Sequence, residues 1–465
     1  MITTSIVAYV LTQILIGVWC SRRIKSQEDF IIAGRSLGFG LATLTIFSTW
    51  FGAESIVGSA GAVYEDGLGA SGPDPFGYSL ALILMGVIFA RALWQSGFLT
   101  LGDLFRREFG TRIETLGVLL ILPGPIIWGG AQVRAFGKIV SSVTTIDVNL
   151  AITFAAVAVI GYTMLGGLYA SALTDFIQGV VMIIGLALLM LCIVGSVEPA
   201  QLTISPERTQ IFHAGSGSIL ELVESWAIPI FGTFVAVELI SRILATRDVQ
   251  VAQRATIAGG VLYLLIGLLP VTMGLIAPQI LSTPLQDAEQ VIPKLAEQFL
   301  IFPDFIFPNL IYIILMGAII SAILSTVDSV LLSGASILSH NFLVRILRFD
   351  NDVIRMRCSR VCVVILGFVA YLCALYADRI RDLVEVASSF GSAGLLPVVT
   401  FGLFSRIGGP KAAGTAFSFG LIGWITGVWF ELTAPYTLSI LIATLGYLGV
   451  AYALDEHREN CPKSR

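Results

Sequence analysis

Apolar residues along this chain fall into long runs, each of about twenty residues and separated by short polar stretches, which is the length a helix needs to cross a bilayer. Such runs begin near Ile2, Ser36, Pro75, Glu114, Val148, Leu173, Glu221, Thr256, Pro308, Ser359, Leu383, Ala412 and Pro435, so the pattern predicts thirteen spans. One run carries an ordered polar stripe: Ser321, Ser325, Asp328, Ser329, Ser333, Ser336 and Ser339 recur three or four positions apart and share one helix face. A hydroxyl in hydrocarbon can bond back to the carbonyl four residues earlier, but a carboxylate such as Asp328 costs several kcal/mol or more unless it is paired or hydrated. Two readings stand at this point. The serines let neighbouring helices approach closely, or the stripe with Asp328 in it holds a small cation.

Two other runs have weakened centres. The second carries Phe47-Ser48-Thr49-Trp50-Phe51-Gly52-Ala53-Glu54 midway, where Gly52 and β-branched Thr49 loosen the helix. The seventh carries Pro229 and Gly232 near its middle. The two breaks lie five spans apart. Taking residues 36–196 as one unit and 221–404 as the next puts a broken helix first in each, and an odd number of spans per unit makes the units antiparallel. Residues 1–20 then form an extra first helix and 410–454 two additional last ones. That layout is expected of an inverted-repeat transporter, with backbone carbonyls at mid-membrane available to an ion; ordinary Gly and Pro kinks are the plainer alternative.

Composition agrees with a polytopic membrane protein: of 465 residues 56% are hydrophobic and 12% charged, against roughly 25% charged in soluble domains. With the N-terminus outside, all but six of the 27 basic residues fall in inner loops or the C-terminal tail; the exceptions are Arg134, Lys138, Arg208, Lys294, Arg379 and Arg381. Cytoplasmic loops retain Lys and Arg, so the chain is expected in the cell membrane, N-terminus out and C-terminus in. Basic groups here set topology, and nucleic acid is not an expected partner. The first span lacks a basic leader and a small-x-small cleavage site and is read as uncleaved. Cys358 and Cys362 share a helix face without a histidine, which suits reduced packing residues better than a metal site. The histidines His213, His340 and His457 are scattered, and no nucleophile and base constellation points to an enzyme.

The stretch Tyr162 to Gln178, YTMLGGLYASALTDFIQ, resembles the most specific motif of the sodium:solute symporters. Asp29 to Leu37, DFIIAGRSL, resembles their first inner loop, and SAILSTVDSVLLSGAS from Ser321 their sodium-site helix. Within that family, Thr49 to Gly69 and Pro75 to Gly86 look most like the high-affinity choline transporter branch. The resemblance implies an all-α LeuT-type 5+5 inverted-repeat fold and Na⁺-driven uptake of a small organic solute, with Na⁺ as coupling ion and no other cofactor. It implies a main sodium site of the Ser48, Phe51 and Ala322 carbonyls with the Ser325 and Thr326 hydroxyls. A second Na⁺, held in some members, maps onto Asp175, Ser325, Asp328 and Ser329; the alternative is that Asp175 and Asp328 are structural and paired with hydroxyls.

In the choline branch a quaternary ammonium sits among aromatic faces, and Trp50, Tyr78 and Trp128 match three of those positions. Trp50 and Glu54 are four apart, so ring and carboxylate are placed to face one cation together. The branch's tryptophans near Ala236 and Val384 are missing, while Glu238 and Glu385 stand close by. That suggests a polar solute other than choline, an amine or an amino acid among them. Packing is the alternative role for Trp50 and Trp128. Arg134 and Lys138, one turn apart, either meet a solute carboxylate or snorkel to the outer surface, and Arg242 reads as an inner-gate or topology residue. Two other functions compete with Na⁺ symport: a membrane solute sensor on the same fold, and a proton-coupled permease using Asp175 or Asp328.

Overall fold

The computed structural model describes residues 2–22, 24–210, 218–281, 283–301, 309–376, 386–455 and 458. His213, His457, Cys461, Arg379, Arg381, Val384 and Glu385 lie outside the described residues. Among those described the chain is almost wholly helical. The principal helices are α1 (Ile2–Ser21), α2 (Gln27–Ile32), α3 (Phe39–Trp50), α4 (Ser59–Asp66), α5 (Leu68–Gln95), α6 (Leu101–Phe109) and α7 (Thr111–Ser141). They continue as α8 (Val148–Ser196), α9 (Ile219–Thr233), α10 (Val237–Leu244), α11 (Val249–Ile280), α12 (Leu310–Ile337), α13 (Asp352–Tyr376), α14 (Ser392–Phe404), α15 (Pro410–Trp429) and α16 (Pro435–Ala453).

Side chains at the loop edges start the helices. Asp147 accepts from the Asn149 and Leu150 amides to open α8, Asp248 accepts from Val251 to open α11, and Ser26 and Thr100 form reciprocal capping boxes with Asp29 and Asp103. Pro410 and Pro435 sit at first helical positions, where a missing N–H costs nothing.

By length and apolarity eight described helices can cross a membrane, or nine if the bent pair α9 and α10 is one span, fewer than the thirteen expected. The eleventh expected span, from near Leu383, begins outside the described residues; for the fifth to seventh and the second the difference has physical causes. At 1.5 Å per residue the 49 residues of α8 would run for roughly 74 Å, more than twice a bilayer core. The helix instead turns at Gly167 (φ 56°, ψ −167°), where a Cβ would lie 2.9 Å from the Phe30 carbonyl oxygen. The second expected span is divided between α3 and α4.

The break in the seventh expected span lies not at Pro229 or Gly232 but just beyond them. Pro229 stays inside α9, and the chain leaves the helix after Thr233 and re-enters it at Val237 with a 40° bend. A proline within a helix removes one hydrogen bond and α9 tolerates that here, whereas Ala236 (φ −69°, ψ 116°) is extended.

The span containing α12 is the hub: 83% of its apolar window is buried, against 28% for α16. Helices α3, α7, α8 and α13 pack around α12, and α1 lies along α8, where a Cβ on Gly17 would come within 3.1 Å of the Tyr162 carbonyl. Leu150, Val157, Leu191, Phe368 and Leu445 face outward, as lipid-contacting side chains do. Loops carrying basic residues meet on one face. The Leu37 and Arg247 backbones exchange bonds with Ala245 and Leu37 at 3.0 Å, Trp94 Nε1 donates to the Thr246 carbonyl at 2.8 Å, and Arg458 reaches Glu108 at 3.2 Å.

Candidate functional site

The site grows from the gap between α3 and α4. Helix α3 stops at Trp50; Phe51 (φ −86°, ψ 70°) has left helical geometry, and the chain resumes as a π-turn over Glu54–Gly58. Gly52 sits in that gap because nothing larger fits: a Cβ there would lie 2.7 Å from Glu54 Oε2, 3.0 Å from Gln132 Oε1 and 3.1 Å from Thr326 Oγ1. The gap faces the serine stripe of α12.

There four of the five residues expected at the sodium site, Ser48, Ala322, Ser325 and Thr326, come together, without a described contact from the Phe51 carbonyl. Ser325 Oγ lies 3.5 Å from the Ser48 carbonyl, and Thr326 Oγ1 lies 3.1 Å from the Thr49 carbonyl and 3.2 Å from that of Ala322. All five of these residues are buried. Oxygens here outnumber protons. Ser325 donates to Asp175, which leaves a lone pair toward the Ser48 carbonyl, and the single Thr326 proton serves one of two carbonyls. Neutral oxygens short of protons suit a hard monovalent cation, and being neutral they bind it weakly enough to release. Phe51 stands at the break, with its ring on Phe47 and edge-on to Tyr263 at 5.2 Å. The Thr49 carbonyl was not expected in this set.

Asp175, Ser325, Asp328 and Ser329 also converge, but around a cation the protein supplies. Arg242 is entirely buried, so of its two expected roles, inner gate or topology residue, a loop charge setting topology is the one its position does not fit. Its guanidinium lies 3.4 Å from Asp175 Oδ2, 3.2 Å from Ser171 Oγ and 3.2 Å from Thr45 Oγ1, and it donates to Ser329. Ser171 and Ser329 in turn donate to Asp328 Oδ1 at 2.9 and 3.1 Å, Thr45 donates to the same Asp175 oxygen that meets Arg242, and Ser325 donates to the other. Two buried carboxylates are thus held by one arginine and a ring of hydroxyls, as buried charge requires. Thr45 and Ser171 carry a sequence signal, since Thr45 lies one turn before Thr49 and Ser171 one turn before Asp175. Arg242 reads as a loop residue until α10 is seen to be short.

Beside the α3 break lies a small cavity lined by Trp50, Tyr78, Trp128, Thr233, Glu238 and Ser392, among others. Trp50 and Trp128 touch edge to face at 5.5 Å, and Tyr78 lies 6.4 Å from Tyr263. Glu54 does not line this cavity. It accepts from Trp128 Nε1 at 3.0 Å and from Gln132, so it holds the indole in place instead of facing a solute beside Trp50. Glu238 does line it. Arg134 and Lys138 are engaged elsewhere: Arg134 donates to the Ala374 carbonyl at 3.1 Å, and Lys138 pairs with Glu289 at 2.7 Å. The five described cysteines are free, and among the described residues no His, Cys, Asp and Glu group could hold a metal.

Residues 30–422 match the model of the sodium:solute symporter family. The chain belongs to that family. It is 28% identical over 420 residues to the high-affinity choline transporter 1 of Drosophila melanogaster, a match covering 84% of this chain and 65% of that protein. It is 25% identical to the human high affinity choline transporter 1, covering 95% and 79%, and 26% identical to the sodium/proline symporter of Haemophilus influenzae, covering 85% and 82%. The chain therefore spans about two thirds to four fifths of the length of these relatives. In fold it is similar to a Na⁺-coupled sialic acid symporter solved in a substrate-bound outward-open state, with a TM-score of 0.85 at 15% identity over 99% of both chains. A nucleobase-cation-symport-1 family transporter gives 0.62 at 14% identity over 92% of this chain and 94% of that one. The architecture is the LeuT-type inverted-repeat fold.

Proposed function

We propose that this family member is a Na⁺-coupled symporter that imports a small organic solute by alternating access, with its N-terminus outside and its C-terminus in the cytoplasm. The observation that carries this reading is the proton-poor set of Ser48, Thr49, Ala322, Ser325 and Thr326 oxygens where the α3 break meets α12. Each Na⁺ entering down the membrane potential supplies about 2.3 kcal/mol per 100 mV. Coupling follows if Na⁺ at the break favours the conformation that binds solute, because a ligand shifts an equilibrium only by its differential affinity. The solute cavity shares Trp50 with the same broken helix, which ties the two sites together.

One Na⁺ per solute is the stoichiometry favoured by Arg242, whose guanidinium meets Asp175 directly and Asp328 through Ser171 and Ser329, the residues a second ion would use. Ion and solute transport, with no chemical conversion, is the role that fits a site built of carbonyls, hydroxyls and rings. The test is uptake into proteoliposomes of purified protein under an inward Na⁺ gradient, repeated with Na⁺ replaced by K⁺ under a pH gradient. Accumulation that needs Na⁺ supports symport. Accumulation driven by the pH gradient alone would replace it with a proton-coupled permease, and binding without accumulation with a sensor.

A further inference from the structure

We infer that the solute is a small protonated amine that carries at least one N–H and no carboxylate, and that Glu238 receives it. This inference rests on the symport reading for its physiological meaning but not for its chemistry, which comes from the cavity wall.

Glu238 is 5% exposed, and among the described polar contacts its Oε2 has no hydrogen-bond partner. The one arginine on its own helix does not neutralise it directly: Arg242 Nη1 donates to the Glu238 backbone carbonyl at 3.0 Å, and its remaining nitrogens serve Thr45, Ser171, Asp175 and Ser329. A carboxylate left this way at a cavity wall is a strong acceptor, and the partner that best satisfies it is a cation with a proton to donate. A quaternary ammonium has charge but no such proton. It is held well by ring faces, and Trp50, Tyr78, Trp128 and Phe390 supply four here, but a quaternary ammonium would still leave Glu238 Oε2 without a donor. Thr233 Oγ1, on the same cavity, is also buried without a partner, which suits a second polar group on the solute such as a hydroxyl.

The same residue argues against an amino acid. In inverted-repeat transporters the N-terminus of a half-helix points at the solute's anionic group. Here α10 begins at Val237 after the break, and Glu238 sits in its first turn facing its own backbone N–H, so the protein already places a carboxylate against that positive end. A solute carboxylate would meet Glu238 instead of a cation, and the two basic residues on α7, Arg134 and Lys138, do not line the cavity and bond to Ala374 and Glu289. The chain has in effect moved the acid from the solute to the wall.

The experiment uses full-length protein in nanodiscs with Na⁺ present and measures equilibrium binding of a matched series. Ethanolamine and its N-methyl and N,N-dimethyl derivatives keep an N–H when protonated, choline has none, and serine is ethanolamine with a carboxylate added. The expected result is binding of the first three at least ten-fold tighter than choline or serine, with Glu238→Gln weakening them at least ten-fold while the response to Na⁺ alone stays. Choline or serine binding as tightly as the protonated amines, or a Glu238→Gln protein with unchanged amine affinity, overturns the inference. The wild-type series decides the matter even if the variant does not fold. Selective amine binding without Na⁺-driven accumulation would sink the symport reading and leave this inference in place; Na⁺-driven accumulation of choline or serine alone would do the reverse.

Discussion

Thr326→Val is the sharpest perturbation of the ion site, because valine keeps the branched shape and removes only the hydroxyl. That hydroxyl lies 3.1 Å from the Thr49 carbonyl and 3.2 Å from the Ala322 carbonyl. With Na⁺ bound the protein loses an oxygen on a charged partner, worth about 1.5–3 kcal/mol; without Na⁺ it loses a neutral hydrogen bond worth about 0.5–1.5 kcal/mol. The difference, about 1–1.5 kcal/mol, falls on the bound state alone, and since 1.4 kcal/mol is tenfold in a binding constant the Na⁺ concentration for half-maximal uptake should rise about five- to ten-fold. The assay is initial uptake against Na⁺ at saturating solute in proteoliposomes, with a melting curve in detergent to show that the variant is folded. Thr272→Val is the control, because that half-buried threonine bonds back to Leu268 in its own helix, at 2.7 Å. A folded Thr326→Val protein whose Na⁺ curve overlays the wild type would refute the site.

Arg242→Met should strand the two buried carboxylates, and removing one partner of such a pair costs about 3–5 kcal/mol; melting in detergent should fall steeply and be partly restored by adding Asp175→Asn, and independence of the two changes in a double-mutant cycle would count against the pairing. Asp103, in the first turn of α6, is pushed up by burial but held below its usual value of 3.8 by His340 and by the Leu99 and Thr100 amides, which outweigh it. A depressed carboxylate stabilises the fold above its ordinary value and stops doing so as pH falls through the folded one, so Asp103→Asn should lower the melting temperature at pH 7 by an amount that shrinks only below about pH 3.8. Gly167→Ala forces a side chain into a backbone region open essentially to glycine, at a cost of about 1–3 kcal/mol, and against the Phe30 carbonyl. It should cut the yield of folded protein, whereas Gly161→Ala, with nothing within 4 Å, should not.

Much of this was legible in order along the chain. Residue type and helical spacing alone identify a membrane protein, place the serine stripe on one face of α12, and mark the α3 break at Phe51 and Gly52, because these are local properties of a helix in hydrocarbon. The likeness of short motifs carried the proposed sodium ligands, and backbone carbonyls at a break can be named from sequence since every residue has one. Three-dimensional packing decided what is paired with what. Arg242 reads as a topology residue because sequence counts its charge but not the end of α10 that buries it; Glu54 reads as a solute contact because spacing places it on the Trp50 face, and only the approach of Trp128 and Gln132 commits it elsewhere. The position of the second break also needed the fold, because a helix supported on several sides keeps Pro229 and gives way at Phe234–Ala236 instead. Which acceptor is left over, the carboxylate of Glu238, is a property of everything around it, and no reading of one residue at a time can supply that.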